Sequence, residues 1–194
     1  YIKRDVIPED ASNYQTIYAE KPGAIAAPTA GLHFSPEIID TLKKKGIGIV
    51  HITIHIGYGT FIPVKVSDIR KHKMESESFE VSEEAAKFIN DGINGIKGGK
   101  EIIAVGSTTT RALEYLATKY GKVIAKKGIC DLFIYPGYRF KVIKGLITNF
   151  HLPKSTLIML VCAFASRELI LKAYQEAINM QYRFYSYGDA MLIV

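Results

Sequence analysis

Apolar and polar positions along the chain fall into short strands alternating with amphipathic helices. The most distinctive run is Thr148 to Phe164, TNFHLPKSTLIMLVCAF. A short apolar strand, Leu146 to Thr148, breaks into Asn149, His151, Pro153, Lys154, Ser155 and Thr156, then runs into an apolar helix, Leu157 to Ala165. Pro153 cannot donate to a ladder and suits a turn or a first helical position. Ser155 or Thr156 can cap the helix that comes next. That helix is apolar nearly all round, so it is expected to be buried. It is far short of the roughly 20 residues needed to span a bilayer. An amide, an imidazole, an ammonium and two hydroxyls thus share one turn between buried elements.

The pattern before it repeats the theme. Tyr1 to Asp10 reads as a connection and not a beginning, and Asn13 caps a short helix through Tyr18. Gly23 to Ala27 reads as a short strand, followed by the polar loop Pro28 to Phe34. Ser35-Pro36-Glu37 is a strong helix start, and Gly46 ends that helix. Gly48 to Ile56 is the clearest strand, with His51, Thr53 and His55 on one face and Ile52, Ile54 and Ile56 on the other. On a strand, His51 and His55 stand about 13 Å apart, too far to share one metal ion. Arg70 to Val81 reads as a polar segment. Ser82 starts a helix with Ala85, Ala86, Ile89 and Ile93 at helical spacing. Glu101 to Val105 is a strand, and Gly106-Ser107-Thr108-Thr109-Thr110 leads into a helix buried through Leu113, Leu116, Ala117 and Tyr120. Gly128 to Tyr135 is a further strand. Arg167 to Met180 is the last helix, and Ala190 to Val194 a closing strand.

This alternation predicts an α/β domain, barrel-like or built on a mainly parallel sheet, occupying residues 1–194 as one unit. The polar clusters PTAGLH, HIGYGT, GSTTTR and TNFHLPKS all come after strands, and sites in parallel α/β folds form at strand carboxyl ends. Their convergence predicts one site lined by His33, His55, Thr108, Asn149 and His151. The GSTTT turn offers N–H groups and hydroxyls to an anion or a sugar, but it is not a P-loop.

Composition changes this picture little. The chain has 194 residues, 48% apolar, with 16 Gly and 7 Pro, enough for a sizeable core. A formal net charge of +6 weakly favours a polyanionic partner. The two cysteines, Cys130 and Cys162, lie in apolar runs without metal spacing and read as buried thiols in a reducing cytosol. The chain reads as soluble and cytoplasmic. The aromatic tail Tyr182 to Tyr187 fits either base stacking or half-buried packing.

At these residues the sequence resembles the S-adenosylmethionine:tRNA ribosyltransferase-isomerases of queuosine biosynthesis. The matching stretches are YQTIYAEKPGAIAAPTAGLHF, HIGYGTFIPV, the Met74 to Glu77 region, IAVGSTTTRALE, FIYPGYRF, TNFHLPKSTLIMLVCAFA and YRFYSYGDAMLI. They cover the whole chain, but only the C-terminal part of the family's length. The resemblance implies a catalytic α/β domain that is incomplete without an N-terminal segment and an inserted β-barrel domain. Where the family has a histidine after its methionine, this chain has Glu75, so a histidine role there is not carried over. Cys162 stands where serine is common, which argues against a catalytic thiol.

The implied reaction moves the ribosyl part of S-adenosylmethionine to 7-aminomethyl-7-deazaguanine in tRNA. It is isomerised there to an epoxycyclopentanediol, and adenine and methionine leave. S-adenosylmethionine is a consumed cosubstrate, tRNA is the partner, no metal or membrane is implied, and a monomer is expected. The chemistry needs a base beside the sulfonium and an acid for adenine, roles that histidine can fill. His33, His55 and His151 are the expected catalytic residues, with Glu77 and Asp189 facing the cation or serving as acid. Thr108, Thr109 and Thr110 suit sugar hydroxyls or a carboxylate, and Arg111 and Lys154 suit the methionine carboxylate or a tRNA phosphate. Thr29, Gly31, Gly57, Gly59, Thr60, Asn149 and Tyr187 complete the expected substrate contacts. Two other readings stand beside this one: an α/β enzyme acting on a phosphorylated sugar through the GSTTTR turn, and a non-catalytic RNA-binding module.

Overall fold

A computed structural model describes residues 4–57, 64–66, 68–95 and 100–194. In chain order these hold α1 (Asp10–Asn13), a 3₁₀ turn (Thr29–His33), α2 (Pro36–Lys44), β1 (Thr53–His55), a second 3₁₀ turn (Ile69–Lys71), β2 (Glu77–Val81) and α3 (Glu83–Ile93). Then come β3 (Ile103–Val105), α4 (Ser107–Tyr120), β4 (Lys126–Cys130), β5 (Gly145–Asn149), α5 (Thr156–Ala165), α6 (Arg167–Asn179) and β6 (Ala190–Ile193). Four helices start at serine caps, whereas Asn13, expected to open a helix through Tyr18, is instead the last residue of α1. Ser35, Ser82, Ser155 and Ser166 each accept the N–H three residues on, at Ile38, Ala85, Ile158 and Leu169. α4 ends at Gly121, which takes the left-handed conformation that closes a helix without a Cβ penalty. No helix among the described residues is long and apolar enough to cross a membrane.

The expected mainly parallel sheet is corrected. The described strands form two three-stranded sheets, β1-β2-β4 and β3-β5-β6. The first is wholly antiparallel, and in the second only β3 and β5 run parallel. Two local misreadings explain the error. β2 lies inside the segment read as polar: Glu77, Phe79 and Val81 point inward while Ser78 and Glu80 do not. A charged residue at an inward position hid the period-two signal. Gly23 to Ala27 is not a strand, since Gly23 has φ +137° and only Ile25 N–H reaches across, to the Ile56 carbonyl at 3.0 Å. The long strand expected over Gly48 to Ile56 shrinks to Thr53–His55, the three residues that find partners on β2. β4 also begins and ends earlier than expected.

α4 joins the two sheets, packing against β3, β4 and β5. Leu113, Leu116 and Ala117 enter a core shared with Phe79, Val81, Ile134, Ile143, Leu146, Leu160 and Val161. Each fully buried aliphatic side chain there contributes about 1.5–3 kcal/mol. The same helix buries two charges. Glu114 is fully buried, and its carboxylate accepts the N–H groups of Lys141, Val142 and Ile143 and the Tyr138 hydroxyl at 2.9–3.1 Å. Arg111 is 2% exposed and donates to Glu77 Oε2 at 2.6 Å. It also donates to the carbonyls of Leu132 (2.9 Å), Glu75 (3.2 Å) and Cys130 (3.3 Å).

Removing one partner of a buried ion pair strands the other. Arg111→Ala is therefore expected to cost about 3–5 kcal/mol in urea unfolding. Adding Glu77→Gln, which removes the stranded charge, should recover part of that loss. A loss below about 1 kcal/mol would show that water replaces the guanidinium without strain.

Candidate active site

Parallel pairing of β3 with β5 sets the carboxyl ends of two strands side by side. The Gly106 N–H donates to the Ile147 carbonyl at 2.8 Å and locks that edge. Each of the two strands runs into a polar turn that opens a helix: Gly106-Ser107-Thr108 into α4, and Phe150 to Ser155 into α5. The 3₁₀ turn Thr29–His33 packs against β5. These pieces, with Tyr185 and Ser186 of the tail, enclose a cavity of about 410 Å³. Its wall is mainly apolar, through Ala27, Ala30, Ile56, Phe150, Leu152 and Leu157, and its polar groups are few. That is the usual make-up of a small-molecule site.

Asn149 is the hub. Its Oδ1 accepts from Thr29 Oγ1 at 3.0 Å, and its Nδ2 donates to the Gly188 carbonyl at 3.2 Å and stands 3.4 Å from His33 Nε2. One buried amide therefore ties the PTAG loop, β5 and the tail together. Gly31 is needed for the same fit, since a Cβ there would collide with the Tyr18 hydroxyl and approach Thr16 Cγ2 to 2.8 Å. His151 lines the cavity with its Nε2 2.8 Å from Thr148 Oγ1, and its backbone N–H donates to the Tyr174 hydroxyl at 2.8 Å. Burial pushes its imidazole down to about 4, so the ring is neutral at pH 7. Burial likewise pushes the Tyr174 phenol up to about 12. His33 is exposed at the rim, within electrostatic reach of Asp189. The Asp189 carboxylate is held below its usual range by the Arg183 N–H at 2.7 Å, and closes the tail loop.

The predicted residues thus divide. Thr29, Thr108, Asn149 and His151 meet at the cavity, with His33, Gly31 and Asp189 close by. His55 does not join them. Ile56 lines the cavity, and His55 points the other way, its Nδ1 buried without a hydrogen-bond partner among the described residues and 2.9 Å from where a Cβ on Gly23 would sit. Glu77 and Arg111 are turned toward each other inside the fold, and Thr110 Oγ1 donates back to the Gly106 carbonyl. Thr109 and Gly57 do not line the wall, and Lys154 is exposed, with its carbonyl accepting from Val64. Tyr187 packs on Tyr14 with ring centroids 5.2 Å apart. Gly59 and Thr60 lie outside the described residues. In the tail, Phe184 and Tyr182 pack around Phe150, which favours packing over stacking for those rings. Sequence reasoning did not single out Thr148, Tyr185 and Ser186, and it named Ser107 only within the GSTTT turn. Ser107 and Thr148 had a signal, since they directly adjoin residues it singled out.

Because the unfolded His151 titrates near 6.5 and the folded one near 4, the unfolded chain binds the extra proton between those values. Acidification from pH 6.5 to 4 should therefore remove stability, by at most about 3 kcal/mol, with no contribution above that window. The stability difference between wild type and His151→Gln is expected to be flat above pH 6.5 and to move against wild type below it. NMR titration of the ring nitrogens should find no midpoint above pH 5; a midpoint between 6 and 7 would contradict the burial argument.

Comparison with known proteins agrees with the resemblance read from the sequence. A family model described as "Queuosine biosynthesis protein" matches residues 1–193. An S-adenosylmethionine:tRNA ribosyltransferase-isomerase from Macrococcus caseolyticus is 54% identical over 193 residues, 100% of this chain and 55% of that protein. A protein of the same name from Caldanaerobacter subterraneus subsp. tengcongensis is 54% identical over 194 residues, again 100% of this chain and 55% of its own. The crystal structure of S-adenosylmethionine tRNA ribosyltransferase from Thermotoga maritima matches with a TM-score of 0.67 at 41% identity, covering 85% of this chain and 51% of that one. The chain spans about half the length of the curated relatives it matches. On the strength of the match over residues 1–193, it belongs to the queuosine biosynthesis protein family.

Proposed function

We propose that this chain supplies the catalytic cavity of an S-adenosylmethionine:tRNA ribosyltransferase-isomerase. The full-length enzyme moves the ribosyl part of S-adenosylmethionine to the amine of 7-aminomethyl-7-deazaguanine in tRNA. Isomerisation gives the epoxycyclopentanediol, with adenine and methionine released. The observation that carries this reading is the convergence of the PTAG, GST and TNFH loops, together with the tail, on one cavity of about 410 Å³. Relatives of that name align with this chain across all of those loops.

The residues sort by protonation state. His151 is held neutral, so it suits the base that takes an acidic proton beside the sulfonium. It does not suit the acid that assists adenine departure, because its imidazolium is scarce at pH 7. That role goes to His33 at the rim, with the Asp189 carboxylate nearby. Asn149 positions His33 and the PTAG loop and is not itself a proton carrier. The Thr148 hydroxyl fixes the orientation of the His151 ring. The apolar wall keeps water from the reacting carbon. A tRNA partner and a cytoplasmic setting come with the same reading.

The test is incubation of the full-length protein with S-adenosylmethionine and precursor-bearing tRNA, followed by assay of free adenine. Wild type should release adenine in step with ribosyl transfer. His151→Ala should lower turnover by about 10²–10⁴-fold with little loss of fold stability. Normal turnover in that variant would remove His151 from the base role.

A further inference from the structure

We infer that the N-terminus of α4 is a carboxylate-binding subsite, and that it takes the α-carboxylate on the amino-acid arm of S-adenosylmethionine. The second half of this statement rests on the function proposed above. α4 runs from Ser107 to Tyr120, long enough for aligned peptide dipoles to place roughly half a positive charge at its start. That charge is uncapped: Gly106 offers no side chain, whereas α2, α3, α5 and α6 each begin with a serine that accepts an N–H. The N–H groups of Ser107, Thr108 and Thr109 meet no acceptor among the described residues.

A second observation is independent of the helix end. Ser107 and Thr108 are only 7% and 6% exposed and both line the cavity, yet neither hydroxyl has a hydrogen-bond partner among the described residues. The side chains are buried, but the hydroxyl oxygens themselves are not sealed off, since the fully buried unpartnered side-chain atoms among the described residues are His55 Nδ1 and Thr156 Oγ1. Here they face a space from which a ligand can supply the acceptor. Gly106 shapes that space. At φ +95°, a Cβ on it would find only Thr108 Oγ1 at 3.8 Å and Thr109 Oγ1 at 3.9 Å within 4 Å. The helix start is therefore a backbone cradle rimmed by hydroxyls, a donor set that fits an oxyanion.

The charge and size of the cavity select the anion. Among the described residues, no Lys, Arg, Asp or Glu lines the wall. One uncapped helix end and two hydroxyls match a single negative charge and not a phosphate monoester dianion. A cavity of about 410 Å³ bounded on several sides suits the end of a small molecule better than a polymer backbone. Of the substrates proposed above, the one small anion is the carboxylate of the amino-acid arm.

The experiment compares S-adenosylmethionine with its decarboxylated analogue, S-adenosylmethioninamine, on the full-length protein. Affinity is read by titration calorimetry and turnover by adenine release. Wild type should bind the decarboxylated analogue at least tenfold more weakly. Thr108→Val should weaken S-adenosylmethionine about tenfold and leave the analogue within twofold, so that discrimination collapses, and Thr108→Ser should restore it. Circular dichroism melting confirms that each variant is folded. Equal affinity of wild type for the two cosubstrates, with normal adenine release, would overturn the subsite while leaving the function standing. An equal loss for both ligands in Thr108→Val would move the contact to a sugar hydroxyl and overturn it as well. A change in tRNA KM and its salt dependence alone would assign the cradle to a phosphate and overturn it. Failure of wild type to bind S-adenosylmethionine at all would overturn the function and the subsite together.

Discussion

The guanidinium of Arg111 is the constraint on which the placement of the cavity depends. It lies at the start of the second turn of α4, is almost fully buried, and donates to Glu77 of β2, to Cys130 of β4 and to the carbonyls of Glu75 and Leu132. A charge that deep persists only when its donors are satisfied in a fixed geometry. The helix is thus pinned in position against the antiparallel sheet. One turn earlier on the same rigid helix are Ser107 and Thr108, which face the cavity beside the other sheet. The position of those hydroxyls is inherited from an ion pair that lies outside the cavity lining. The fully buried Glu114 does the same further along α4 for the loop Tyr138–Ile143.

On the opposite wall the work is done by local hydrogen bonds and not by packing alone. The turn after β5 and the tail contain residues in the left-handed region that are not glycine, Lys154 at φ 59° and Tyr185 at φ 74°. Each costs on the order of 1 kcal/mol or more. Both are held by cross-links to other segments: the Val64 N–H donates to the Lys154 carbonyl, and the Tyr185 N–H donates to the Phe150 carbonyl. Phe150, Tyr174 and Phe184 form one ring cluster with edge-on and tilted contacts, so the tail is fastened both by aromatic packing and by backbone. Asn149 then closes the arrangement through Gly188 and Thr29.

What the sequence revealed and what it hid have the same physical origin. Caps and turns depend on neighbours in the chain, so Ser35, Ser82, Ser155 and Gly46 announced helix ends. The strand alternation around His55 was also legible, with Ile54 and Ile56 on the face opposite the histidines. Which face meets the cavity is a long-range matter, and it turned out to be the face of Ile56. Arg111 looked like an anion-binding residue because a basic side chain in the first turns of a helix usually faces water or a ligand. Only the arrival of Glu77 from a strand 34 positions earlier makes it a buried partner. The same glutamate disguised β2 as a polar segment, so one ion pair accounts for a missed strand, a misjudged sheet and two expected substrate-facing side chains that face each other instead. The placement of Asn149 and His151 at one cavity, with His33 beside it, was legible because glycine and proline shape the turns that carry them.

The roles proposed for the two histidines follow from where each sits. His151 lies in an apolar cavity, where losing water already favours the neutral ring. In the proposed complex a sulfonium in the same cavity would add a positive charge that opposes protonation further. A group so placed is kept ready to accept a proton and is a poor store of one. The proton it takes must then pass to solvent or to a group outside the low-dielectric region. His33 stands exposed at the rim, near the Asp189 carboxylate. The proposed division of roles therefore rests on place: a ring held neutral inside an apolar cavity suits a base, and the acid is sought at the exposed rim.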